Sequence, residues 1–130
     1  HIGDAYVPML IEGFQQGFTE FVLLETEPSQ EILARFGIPY LVYIRPQKFG
    51  NDVTLKGQTL LFDAEALAFD PSLKLLDRFE AEGKSDAKKV FAKRGGPQVN
   101  FNAALENNIR AIVLHVQDAI RTGRWGKAAA

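Results

Sequence analysis

From about Asn102 to Thr122 the chain places Leu105, Ile109, Ile112, Val113, Val116 and Ile120 at helical spacing, so one apolar stripe runs the length of a single long helix. Its opposite face carries Glu106, Asn107, Arg110, Gln117, Asp118 and Arg121, and Gly123 suits its exit. A helix with one such stripe must lay it on another element, and the alternating segments upstream supply a sheet for it to cover.

The remaining elements follow from periodicity and breakers. Val7, Leu10, Ile11, Phe14 and Phe18 predict an amphipathic helix from about Asp4 to Gly17, with Asp4 as cap, Pro8 in its first turn and Gly17 at its exit. Phe21 to Glu25 reads as a short strand. Ser29 caps a second helix that turns Ile32, Leu33 and Phe36 to the core and ends at Gly37, with Pro39 preventing continuation. Tyr40 to Ile44 then reads as a buried strand, and Pro46 to Asp52 as a loop. Val53 to Phe69 alternates as a strand with a bulge at Gly57. Asp70-Pro71-Ser72 is turn chemistry, and Leu73 to Glu82 returns as the second arm of a hairpin at the middle of the sheet. Gly83 to Pro97 is polar, with a Gly95-Gly96-Pro97 breaker, and reads as an exposed connection. The expected fold is α+β: an antiparallel or mixed sheet of about four strands with two to three helices packed on it, in the order α-β-α-β-β-β-α.

At 130 residues, 46% hydrophobic and 24% charged, the chain has the size and balance of one globular domain, expected to span residues 1–127. It begins at His1 instead of Met, which suggests a mature or trimmed product, and Ala128 to Ala130 read as a cloning scar. The apolar runs are far shorter than the ~20 residues that span a bilayer. A net charge of −1 gives no strong nucleic-acid signal. The absence of cysteine excludes disulfides, thiolate metal sites and cysteine nucleophiles while leaving the compartment open.

The step "ILARFGIPYLVYIRP", in which a helix ends at Gly37 and a strand begins across Pro39, Tyr40, Leu41 and Val42, is followed by a meander turning at Asp70-Pro71 and a long final helix. This pattern of elements, spanning roughly Tyr6 to Arg121, resembles the envelope lipoprotein folds grouped around the curli channel subunit CsgG, the amino-terminal domain of TolB and the exopolysaccharide lipoprotein PelC. The resemblance implies an envelope scaffold, channel or binding module, periplasmic or outer-membrane-associated, with a lipid anchor outside this chain. It also implies a strand ahead of the first helix and a lipid-bearing cysteine, neither of which occurs in this sequence. It carries over no catalytic residue.

Candidate chemistry is sparse. His115 lies three residues before Asp118, where acid-base work would need a third group in a cleft; a surface pair on one helix is the simpler reading. His1 is terminal, so two-histidine metal chemistry is unsupported. Asp63, Glu65, Asp77, Glu80 and Glu82 fall in or near the hairpin, where paired carboxylates could hydrolyse glycosides or hold a hard cation, but a solvated sheet face is favoured. Lys84, Lys88, Lys89, Lys93 and Arg94, around Phe91, could meet phosphate or anionic lipid, although Glu82 and Asp86 dilute their charge. Gly95-Gly96 lacks the Lys-Ser/Thr of a phosphate loop. Phe49 in its loop and Trp125 beyond the last helix have no evident core role and are interface candidates.

The function expected from these readings is a non-enzymatic envelope interaction or assembly domain with protein partners or self-association, and neither catalytic residues, metal nor cofactor is assigned. Two alternatives stand beside it. One is a small enzyme or ligand carrier with a pocket between the sheet and the final helix, using Tyr43, His115 or Asp118. The other is a phosphate- or anionic-surface-binding module using the basic cluster.

Overall fold

In the computed structural model, which describes residues 2–24, 26–54, 57–85 and 96–126, the long helix predicted near the end of the chain is α3, Gly96–Arg121. It follows two earlier helices, α1 (Ile2–Gly17) and α2 (Gln30–Arg35), and three strands, β1 (Leu41–Thr54), β2 (Gly57–Phe69) and β3 (Leu75–Lys84). The strands form one antiparallel sheet in the order β1-β2-β3. The α+β class stands, with three strands instead of about four and the element order α-α-β-β-β-α.

One face of β2 carries a run of small side chains from Ala64 to Ala68. Phe62, Ala64, Ala66 and Ala68 are buried on it, and the register sets Gly83, Ala81, Phe79 and Asp77 of β3 beside them. That smooth surface receives the stripe of α3, where Leu105, Ile109, Ile112, Val113 and Val116 are buried as expected. Gly83 lets the backbones meet: a Cβ there would lie 2.0 Å from the Ala104 carbonyl oxygen. α1 in turn packs on α3, with Gly13 against Ile109 and Gly17 against Val113, where an added Cβ would lie 2.5 and 2.6 Å from their side chains. A polar residue in the stripe's path, Asn108, joins all three layers. It accepts from Tyr6 Oη at 2.6 Å and donates to the carbonyls of Phe62 (3.2 Å) and Ala81 (2.8 Å). Such a buried amide is tolerable because both its N–H groups and its oxygen have partners.

α2 closes as its sequence requires. Ser29 Oγ accepts from Ile32 N, and Gly37 takes φ +63°. The amides of Gly37 and Ile38 return to the carbonyls of Ala34 and Leu33, the paired bonds of a Schellman ending. Leu33 is buried, while Phe36, expected to face the core, is 55% exposed.

Several expectations are corrected. Phe21–Leu24 form no strand; Phe21 stacks on Phe14 at 5.7 Å, which holds this segment against α1 and away from the sheet. α1 begins at Ile2, so Asp4 is inside the helix and not its cap, and Pro8 lies beyond the first turn. The Pro46 to Asp52 loop is instead part of β1, with a register shift between Pro46 and Lys48. Among the described residues β1 is an edge strand, where a missing N–H costs little and a bulge absorbs the proline. It is therefore not the buried strand expected from its composition. Gly57 opens β2, paired with Thr54, and is not a bulge within it. Gly96 and Pro97 begin α3 instead of breaking the chain, Pro in a first turn lacking an N–H that needs no intrahelical partner.

Candidate functional site

α3 covers the β2 and β3 side of the inner sheet face, and α1 sits on α3, which leaves the β1 side open beneath the segment that follows α1. The result is an apolar cleft of about 500 Å³. One wall is Leu10, Phe14, Phe18 and Phe21 of α1 and its extension, the other is Tyr40 to Ile44 at the start of β1, and α3 contributes Val116 and Ile120. Among the described residues, Glu20 and Glu27 are the charged ones in its lining. Val22 and Leu23, the apolar pair read as strand, are exposed at its border.

Behind the Tyr40 wall lies a polar knot. Tyr40 Oη donates to the Gly126 carbonyl at 2.7 Å and its ring tilts against Trp125 at 5.7 Å. Trp125 Nε1 donates to Asp77 Oδ2 at 2.9 Å, and His115 Nε2 stands 2.9 Å from the same oxygen. His115 stacks on Phe79 with ring centroids 3.6 Å apart and planes 11° from parallel. Because Nε2 must carry its proton toward the carboxylate, it cannot accept from Arg124 Nη2, which stands 3.5 Å away. Burial is the largest influence on Asp77 and pushes its carboxyl up. The hydrogen bonds from His115 and Trp125 act together against it, and the net direction is down.

A third grouping lies on the opposite sheet face. Glu65 in β2, 3% exposed, is clasped by Arg45 of β1 and by Arg78 of β3, whose Nε is 2.7 Å from Oε2. Hydrogen bonds from Arg45 and then Arg78 hold the Glu65 carboxyl below the ordinary range, and the Arg45 guanidinium is raised by the same contact. The solvated face expected for the hairpin carboxylates is corrected at two of them, since Glu65 is buried beneath its arginines and Asp77 lies on the inner face against His115 and Trp125, because the spacing that matters runs across strands.

With this geometry in place, comparison with known proteins gives two solved structures. No family model matches the chain, and no curated protein matches it. The lipoprotein GNA1162 from Neisseria meningitidis aligns at 18% identity and a TM-score of 0.40, covering 82% of this chain and 69% of that one. The hypothetical protein CT253 from Chlamydia trachomatis aligns at 9% identity and a TM-score of 0.44, covering 92% and 69%.

The residues singled out from sequence scatter across these groupings. Tyr43 lines the cleft and is 49% exposed. His115 and Asp118 do not line it, and they do not pair with each other: His115 faces Asp77, while Asp118 binds Arg121 at 2.6 Å and Arg124 at 3.3 Å. The pocket thus lies between α1 and β1, with α3 as its back, and not between the sheet and α3. Trp125, read as lacking a core role, is 5% exposed and is a member of the core. Phe49 is in β1, not a loop, and is exposed. Lys84 ends β3 and is exposed, whereas Lys88, Lys89, Lys93 and Arg94 lie outside the described residues. Among the described residues no group of His, Asp or Glu is placed to hold a metal ion, and no helix is long and apolar enough to cross a membrane.

Proposed function

We propose that this chain is a non-enzymatic interaction domain of a bacterial cell envelope, and that its working surface is the α1–β1 cleft together with the free edge of β1. The observation that carries the reading is the cleft itself: about 500 Å³ lined chiefly by aliphatic and aromatic side chains from α1, the following segment, β1 and α3. Apolar surface of that extent, bordered by polar residues, is the mark of a binding groove. The edge of β1 beside it offers backbone donors and acceptors that a partner strand can use. The envelope setting rests on the likeness to the CsgG, TolB and PelC group carried by the helix-to-strand step at Gly37 to Val42 and by the meander and long helix that follow.

A photo-crosslinking residue in place of Leu10 or Val42, inside the cleft, or of Arg110, exposed on α3, tests the reading in cells that express the whole gene. The expected result is a discrete adduct from the cleft positions, recovered in the envelope fraction, with none from Arg110. An adduct of twice the chain's mass would identify the partner as a second copy. Adducts from Arg110 alone, or a chain confined to the cytosolic fraction, would overturn the proposal.

A further inference from the structure

The charges of this chain are unevenly spread along it. Residues 1–34 hold Asp4, Glu12, Glu20, Glu25, Glu27 and Glu31 and no lysine or arginine, so every Lys and Arg lies from Arg35 onward. The described part of that stretch builds one wall of the cleft, and the charged lining residues among the described ones, Glu20 and Glu27, are exposed. Opposite them, Leu41–Ile44 of β1 pair with Phe69–Ala66 of β2 on one side, and among the described residues no strand pairs with β1 on the other. An occupant therefore meets three things together: an apolar floor, a free strand edge and an acidic lip.

We infer that the cleft receives an extended peptide segment of a partner protein, apolar on alternate residues and flanked by lysine or arginine, laid along β1 at Leu41–Ile44. The inference rests on the binding surface proposed above and adds the chemistry of what fills it. Strand pairing satisfies the free edge of β1, which an acyl chain cannot do. Alternate apolar side chains enter the cleft because strand side chains point to opposite faces in turn. Basic residues flanking the apolar run lie over the mouth of the cleft and meet Glu20 and Glu27, whereas fatty-acid carboxylates and phospholipid phosphates would be repelled by that lip.

The test uses the intact chain and fluorescence anisotropy of two labelled peptides with the same core of valine on alternate residues and serine between, one flanked by lysines and one by glutamates, each too short to pair stably with itself. The lysine peptide is expected to bind and the glutamate peptide not, with affinity falling as salt rises. Glu20→Gln and Glu27→Gln, both at exposed positions, are each expected to weaken the lysine peptide by about two- to fivefold, the range of a surface ion pair. The double substitution to lysine is expected to transfer preference to the glutamate peptide. Equal binding of both peptides, indifferent to either substitution, would overturn the basic occupant and leave the cleft as a docking surface. Saturable binding of a neutral long-chain alcohol with neither peptide bound would overturn the peptide. Absence of all binding, together with no cleft crosslinks in cells, would overturn the cleft as the working surface too.

Discussion

At Leu73 the backbone does what its side chain disfavours. The turn after β2 is held by Asp70, whose Oδ1 accepts from Ser72 N (2.9 Å), Ser72 Oγ (2.6 Å) and Lys74 N (3.0 Å), and it forces Leu73 to φ +67°. A leucine in the left-handed region costs about 1–2 kcal/mol, and this one is partly exposed, so little burial offsets it. Leu73→Gly is therefore expected to raise stability by about 1 kcal/mol, after allowance for glycine's extra unfolded-state freedom; thermal denaturation would show it, and a lower melting point would refute it. Asp77 offers the opposite case. Removing its carboxylate as Asp77→Ala strands Trp125 Nε1 and His115 Nε2 together, and the expected loss is about 1–3 kcal/mol. Trp125→Phe alone should cost less, and the two losses should be non-additive in a double-mutant cycle, because both remove one shared bond. Additive losses would show that Trp125 is held by packing alone.

Elements were legible from the sequence where one period or one breaker dominated. The α3 stripe, the Ser29 cap and the Gly37 ending are local signals, and each formed where its residues stand. What was hidden depends on tertiary neighbours. Phe21 to Leu24 has the composition of a strand, but its ring contact with Phe14 keeps it beside α1. The stretch from Pro46 to Asp52 has the composition of a loop, but at a sheet edge it pairs along β2 with one register shift. The cleft was hidden for the same reason, since its walls come from residues far apart in the chain. The cross-strand clasp on Glu65 and the Asp77–His115 bond likewise depend on register, which periodicity alone does not give. Gly83 and Gly13 make the tertiary term measurable. Gly83→Ala puts a methyl 2.0 Å from the Ala104 carbonyl oxygen and 2.5 Å from Asn108 N, both backbone atoms that move only if α3 lifts from β3. Gly13→Ala meets the Ile109 Cγ2 at 2.5 Å, a side chain that can turn aside. Gly83→Ala is expected to cost about 3 kcal/mol or more, at or beyond the upper end of ordinary overpacking, and Gly13→Ala about 1 kcal/mol. Chemical denaturation of both variants checks the ranking, and equal losses would mean that the α3–β3 spacing is soft.

The molecule as a whole is held between two titrations, one at each end of the pH scale. On the acid side, Glu65, Asp70 and Asp77 all have folded carboxyls below the ordinary range, through Arg45 and Arg78, through the Ser72 hydroxyl and neighbouring amides, and, against the burial that pushes Asp77 upward, through His115 and Trp125. A depressed carboxylate contributes stability that is present above its unfolded value, about 4, and is lost as pH falls through its folded one. On the alkaline side stands Tyr6, whose phenol burial pushes well above its ordinary value. A raised group contributes stability that is full below its unfolded value, about 10, and is lost as pH climbs toward the folded one, because the unfolded chain releases the proton first. Tyr6 is also the α1 end of the Asn108 junction, so ionising it removes the donor that ties α1 to α3 and, through Asn108, to the carbonyls of β2 and β3. The stability plateau should therefore end below about pH 4 and above about pH 10. Tyr6→Phe separates the two arms. It lowers stability at neutral pH by about 1 kcal/mol for one buried hydrogen bond, leaves the acid arm unchanged, and flattens the alkaline arm. Urea titrations at stepped pH measure this directly. An alkaline arm that persists in Tyr6→Phe would assign the high-pH loss to other groups, and an unchanged stability at neutral pH would remove Tyr6 from the junction's energetics.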